Sequence, residues 1–280
     1  MAAISAKMVM DLRKKTGVGM MECKKALVAA NGDESAAIDA LREAGKSKAA
    51  KKAGRSATEG LFAVVNKDNV TVIVEVLCET DFVAKTKEFI SFTNETAQKG
   101  LTKFDTDGDI SKELAELVSD DLKSLIGKLG ENMQVRRAYR WVSGDNTQIG
   151  TYLHTGVAYA CLAEVEGECD AKLLNDICMH ITASNPTYIT SEDISKDVLE
   201  HEREVFKKQI QNDPKLANKP EKVLEHILIG KMEKRYTELC LMDQPWIDDD
   251  KTCLKKVAPK IIVKRFKRML AGEELPEDAK

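Results

Sequence analysis

The sequence lacks most of what would mark a membrane protein, a secreted protein or a catalyst. No apolar run reaches the roughly 18 residues a membrane-spanning helix needs. The opening residues, Met1 to Lys7, lack the apolar block of a secretory signal. The balance of 43 Lys and Arg against 46 Asp and Glu gives a net charge of −3, without the electrostatic footprint of a nucleic-acid binder. Cysteines at 23, 78, 161, 169, 178, 240 and 253 form no regular framework. Reduced thiols in a cytoplasmic protein are the simplest reading.

Catalytic and metal-binding patterns are equally scarce. Cys161, Cys169, Cys178 and His180 contain no close Cys-x-x-Cys pair. Asp105, Asp107, Asp109 and Glu116 fall at calcium-loop spacing, but Ile110 stands where the sharp turn requires glycine. Gly45-Lys46-Ser47 resembles the end of a phosphate-binding loop, yet Ala40 replaces its upstream glycine and a helix precedes it. The four histidines lie in separate regions, and no Gly-x-Ser-x-Gly elbow occurs. No enzyme, no cofactor and no metal is the expectation.

What is present is a change of hydrophobic period along the chain. Ile4, Met8 and Leu12 form a helical stripe ending at Thr16-Gly17. Cys23, Leu27 and Ala30 form a second, stopped by Asn31-Gly32. Asp33 caps a third helix carrying Ile38 and Leu41, with Gly45 expected beyond its end and Lys46 to Arg55 as a solvated connecting helix. Leu61 to Asn66 and Val70 to Cys78 then read as a hairpin. Helices follow around Phe89 and Phe92 and from Ser111 to Leu129, before a second β-rich unit expected from Met133, with strands at 135–142, 148–154 and 157–165. A helix with Ile177 and Ile181 ends before Asn185-Pro186. Two charged helices around Asn212-Asp213-Pro214 suggest an antiparallel hairpin, and Ile261 to Leu270 a last strand. This order predicts an α+β fold.

Two segments stand out as contact sites. Thr80-Asp81-Phe82-Val83 follows the alternating run that ends at Cys78, placing an acid and a large aromatic where the chain leaves its sheet. Phe82 either folds back into the core or presents itself to a partner. Met20 and Met21 open the second helix; adjacent methionines do not both face one small core, and Met is an adaptable contact residue.

Several of these segments, in order, resemble the bacterial elongation factor Ts family. They are Leu12-Arg13-x-x-Thr16-Gly17-x-Gly19-Met20-Met21-x-Cys23-Lys24-Lys25-Ala26-Leu27, then Asn31-Gly32-Asp33 and Lys48 to Gly54, then Cys78-Glu79-Thr80-Asp81-Phe82-Val83-Ala84. Gly130-Glu131-Asn132 with Arg136-Arg137, and Met179-His180-Ile181-x-Ala183-Ser184, continue the likeness, which is dense to about residue 190 and looser beyond.

The resemblance implies a guanine-nucleotide exchange factor for elongation factor Tu, with no direct nucleic-acid or membrane partner. It implies a ubiquitin-associated-like three-helix module over 1–54 and two related α+β subdomains, over 55–140 and over 141–186 with 241–272. A coiled-coil hairpin over 187–240, a candidate homodimer contact, and a tail over 273–280 complete it. A C-terminal helical module found in longer members is expected to be shortened or absent. By resemblance, Thr80, Asp81, Phe82 and Val83 intrude near the partner's magnesium and nucleotide, while Arg13, Met20, Met21, Lys24, Leu129, Gly130 and His154 make further contacts. Two rival classes follow from the residues: a scaffold whose N-terminal module docks other proteins, and an RNA binder using the basic runs 46–55 and Lys264-Arg265-Lys267-Arg268.

Overall fold

Ser5 accepts a hydrogen bond from the Met8 amide and starts α1 (Ala6–Thr16), which Gly17 ends at φ +67°. After Gly19 comes α2 (Met20–Ala29), and Asp33 caps α3 (Glu34–Lys52) by accepting from the Ala36 amide. Val9, Leu12, Cys23, Ala26, Leu27 and Ala37 close a small core among these helices. The structure, a computed structural model, describes residues 4–154, 158–216 and 219–275.

One expectation fails here. α3 does not stop before Gly45 but runs through it and takes in most of the basic run up to Lys52. Ala37, Gly45 and Ala49 are its buried residues, spaced by eight and four. This single stripe faces its own module at one end and another helix at the other. A glycine costs a helix about 1 kcal/mol relative to alanine, and the close helix contact described below accounts for it.

β1 (Glu59–Lys67) and β2 (Val70–Cys78) form an antiparallel hairpin around Asp68 and Asn69. β4 (Met133–Val142) pairs with the other edge of β2, and the two-residue β3 (Gly108–Asp109) pairs with β4, giving the sheet order β1-β2-β4-β3. Met133–Val142 thus completes the first sheet instead of opening a second unit, because its partner strand lies far back in sequence. β2 is buried on both faces, so polar Thr71 and Glu75 are buried along with Val72, Val74 and Val76. Glu75 lies opposite Arg137, next to a register shift that leaves Arg136 as the extra residue.

Four helices accompany this sheet: α4 (Asp81–Ala84), α5 (Lys87–Lys103), α6 (Ser111–Leu117) and α7 (Ser119–Leu129). Phe89, Phe92, Leu114, Val118, Leu125 and Ile126 join the sheet residues in one core. The helix expected over Ser111 to Leu129 is two helices, broken at Val118. Asp107 and Asp109, acids of the calcium-like spacing, accept main-chain bonds from Val142 and Ser111.

The chain separates into two compact units. The first holds residues 4–142, 154, 158–159 and 270–275; the second holds 143–153, 160–216 and 219–269. In the second, β5 (Thr147–His154), β6 (Tyr159–Glu166) and β9 (Ile262–Leu270) form a sheet in that order with α8 (Ala171–Ser184). Val157, expected to begin β6, lies outside the described residues. α9 (Lys196–Asn212) and α10 (Glu221–Leu239) run antiparallel, since Arg235 pairs with Glu202 at 3.0 Å while Lys231 donates to Gln209 at 3.3 Å. At their root Gln244, buried, donates from Nε2 to the carbonyls of Ser184 and Glu238. The small pair β7 (Pro245–Trp246) and β8 (Asp249–Cys253) and the single turn α11 (Leu254–Val257) complete this unit.

Of the expected tail, 276–280 lies outside the described residues, while its first residue is docked in the first unit. Glu273 pairs with Arg137 at 2.6 Å, and the Gly272 amide donates to Glu75.

Candidate partner-binding site

Where β2 ends, Cys78 is still fully buried, and burial pushes its thiol up to about 12, with the Glu131 charge adding to the shift. The next residues turn outward. Thr80 is extended, and its Oγ1 caps α4 by accepting from the Val83 amide at 3.4 Å. Asp81 and Phe82 fill the first turn of this four-residue helix. Phe82 is 79% exposed, so the alternative in which it folds back into its own core is overturned. An exposed phenylalanine at this level gains nothing from the fold that carries it.

Asp81, half-buried beside it, pairs with Lys85 at 2.5 Å. The hydrogen bond from Lys85 holds the Asp81 carboxyl below the usual carboxylate range. Exposed pairs of this kind contribute little net energy, so Asp81 exchanges Lys85 for another cation at small cost. The result is an ionised acid and a bare aromatic, adjacent on one turn.

The turn is fastened from below. The Glu131 carboxylate accepts from the Thr80 amide at 3.0 Å and from the Thr80 hydroxyl at 2.7 Å. In return, Glu79 accepts from the Asn132 amide at 2.6 Å. Asn132, buried, donates from Nδ2 to the Arg55 carbonyl at 2.7 Å, and Lys52 donates to the Gly130 carbonyl. Gly130 ends α7 at φ +85°, where a side chain would be strained, and turns the chain into this contact. Leu129 is half-buried against the first-unit core.

The structure therefore brings Thr80–Val83 near Leu129–Gly130, joined through Glu131, the residue after Gly130. Arg13, Met20, Met21 and Lys24 lie on the three-helix module, all exposed, with Met20 and Met21 at 47% and 66%. That module meets the same region through α3 and through Lys128, whose chain covers Gly17 and whose Nζ lies 3.3 Å from Glu88. His154 is exposed at the end of β5 and is grouped with the first unit.

Glu79, Glu131 and Asn132 are the supporting residues that reading the residues alone did not pick out. Their signal was faint: an acid at each end of a pairing whose members lie 51 to 53 positions apart. Among the described residues, no three His, Cys, Asp or Glu side chains gather as a metal site, and no helix is long and apolar enough to cross a membrane.

A family model described as elongation factor Ts matches residues 79–273, well over half of the chain. The chain belongs to the elongation factor Ts family. Members are translation elongation factors that promote nucleotide exchange on elongation factor Tu and catalyse no covalent reaction. The match opens at Glu79, one residue before the exposed turn, and takes in Leu129, Gly130 and His154. It also reaches past residue 240, where the likeness in motifs thins, to Glu273, which is docked on Arg137.

Proposed function

We propose that this chain binds the GDP complex of elongation factor Tu and promotes GDP release by driving Phe82 into the partner beside its magnesium and nucleotide. The observation that carries this reading is the 79% exposure of Phe82 on a turn held at its start through Thr80 and at its end through Val83. An exchange factor binds the nucleotide-free partner more tightly than the GDP form, and linkage loosens the nucleotide by the same factor. A thousandfold loosening needs about 4 kcal/mol of differential binding. Burying Phe82 supplies about 1.5–3 kcal/mol of it. Asp81, ionised and weakly paired, then acts on the partner's magnesium shell, because a bound cation dominates its local field.

In this reading Arg13, Met20, Met21 and Lys24 anchor the partner from the three-helix module, with Leu129, Gly130 and His154 as further contacts. The exposure of Met20 and Met21 supports an adaptable docking face. The chain works in the cytoplasm as module 1–54, subdomains 55–140 and 141–186 with 241–272, and coiled-coil hairpin 187–240, whose exposed Val198, Val223 and Ile229 suit pairing with a second copy. Direct nucleic-acid binding is not part of the proposal. Lys48 is bound to Glu22, Arg55 to Glu79, Lys264 to Glu166 and Arg265 to Glu164, so both basic runs are partly neutralised.

The test is release of a fluorescent GDP analogue from purified elongation factor Tu, in excess GDP, with and without the chain. Accelerated release that weakens in Phe82→Ala and Asp81→Ala supports the proposal. No acceleration from folded protein and active partner removes it and leaves a binding scaffold.

A further inference from the structure

The far end of the aromatic turn is tied to the core, with Val83 packed against it, Ala84 buried and the Thr86 hydroxyl donating to the Val83 carbonyl at 2.8 Å, but its near end has little fastening of its own. α4 is four residues long, far below the length at which a helix holds itself in water. Its cap, Thr80 Oγ1 to the Val83 amide, is long at 3.4 Å, and Phe82, mostly exposed, has little packing to fix its direction. With the far end held through Val83, the backbone at Thr80 is the remaining control on where Asp81 and Phe82 point.

That backbone is gripped by one carboxylate. Glu131 takes both donors of Thr80, one on each oxygen, which fixes the residue in orientation as well as position. Hydrogen bonds to an ionised acceptor are about twice as strong as neutral ones. Glu79 makes the mirror-image contact on the Asn132 amide, so the side chain just before each turn holds the main chain of the other. Asn132 is tied onward to the Arg55 carbonyl, next to the end of α3.

We propose that Glu131 is a positioning residue for exchange: it touches neither nucleotide nor partner, and acts by holding Thr80 so that Phe82 and Asp81 are presented ready-aimed. This rests on the exchange reading above. Without the clamp the turn samples other directions, and aiming must be recovered on binding.

Exchange is measured as GDP-analogue release from elongation factor Tu over a range of chain concentrations, for the wild type, Glu131→Gln, Glu131→Ala and Phe82→Ala, and for Glu131→Ala combined with Phe82→Ala. Glu131→Ala is expected to lower the maximal rate about tenfold or more, the size of a lost charge-assisted bond. The half-saturating concentration, set largely by the three-helix module, is expected to shift less. Glu131→Gln keeps one acceptor oxygen and falls between. In the Phe82→Ala background, Glu131→Ala adds little, because both act through one side chain.

Thr80→Val keeps the shape and removes the hydroxyl, which both donates to Glu131 and caps the Val83 amide, so a wild-type rate in it still tells against the clamp if Glu131→Ala does not fold. A wild-type maximal rate in Glu131→Ala or, failing that, Thr80→Val, overturns the proposal, as do losses that simply multiply with Phe82→Ala. A wild-type chain that accelerates nothing overturns the exchange reading itself, and this inference with it.

Discussion

Gly45 of α3 and Gly127 of α7 meet face to face, so that a Cβ on Gly127 would stand 2.8 Å from the Gly45 Cα. The relation is lopsided. A Cβ on Gly45 would come no closer than 3.8 Å to any neighbour, the Lys123 carbonyl oxygen. Gly127→Ala is therefore expected to push the two helices apart at a cost of about 1–3 kcal/mol, offset by about 1 kcal/mol of helix propensity. Gly45→Ala gains propensity without the clash and is expected to be neutral or stabilising by up to about 1 kcal/mol. Thermal melting of the two single variants checks this; equal shifts would show that the crossing is not as tight as described.

Phe82 and Phe89, seven positions apart, should separate function from folding. Phe89 is fully buried and Phe82 is not. Phe89→Ala is expected to cost about 3–5 kcal/mol of stability. Phe82→Ala is expected to leave the melting temperature nearly unchanged while slowing GDP release at least tenfold, from the about 1.5–3 kcal/mol of lost burial in the complex. Denaturation and release assays on the same preparations decide; a Phe82→Ala protein that melts early would mean the ring packs in solution after all.

Glu75 and Arg137 form a buried pair in the middle of the first sheet, joined at 2.5 Å and 3.0 Å. Burial pulls the Arg137 guanidinium down, but hydrogen bonds and charge from Glu75, then Glu273, more than restore it and leave it raised. Glu75→Gln removes the more deeply buried of that cation's two carboxylate partners and leaves Glu273 as the other, and a loss of about 3 kcal/mol is expected. Replacing the pair together, Glu75→Leu with Arg137→Met, should cost less than the sum of the two single changes. Urea denaturation of the four proteins gives the coupling directly, and strict additivity would contradict the pairing.

His180 makes stability depend on pH in one direction. It is fully buried, its ring stacked on Trp246 with centroids 5.0 Å apart. Burial lowers its pKa from the ordinary 6.5, against a smaller upward effect from Gln244. Below about pH 6.5 the unfolded chain takes up a proton that the folded one refuses, so stability falls with acidification until the lowered folded value is passed. At higher pH both states are neutral and the effect vanishes. His180→Phe keeps a ring and should flatten the loss between pH 7.5 and 5.5; parallel slopes for the two proteins in denaturant melts would refute the assignment.

Helix caps and periods were legible because they are local: Ser5, Gly17 and Asp33 lie within a few residues of what they cap. Gly45 misled for the same reason. The usual reading of a glycine near a helix end takes no account of a second helix, 82 positions on at Gly127, that needs the space. From its alternation alone β4 was drawn into a second unit, although the resemblance put most of it in 55–140, because strand pairing is non-local and its alternation fits either sheet. At the site, Phe82 was found and its residues left it open between core and partner; what holds its turn, Glu131 on Thr80 across 51 positions, is non-local and was not legible.

The docking of Gly272 and Glu273 also governs how the first unit is completed on the ribosome. Glu75 is made early, yet one of its hydrogen bonds is to an amide 197 residues later. Arg137 likewise waits 136 residues for Glu273. Until Glu273 has emerged, the sheet's central ion pair lacks its outer partners, and everything from Ser143 to Met269 is synthesised in the meantime. Such long-separated contacts are slow to form. The first unit is thus begun first and finished last.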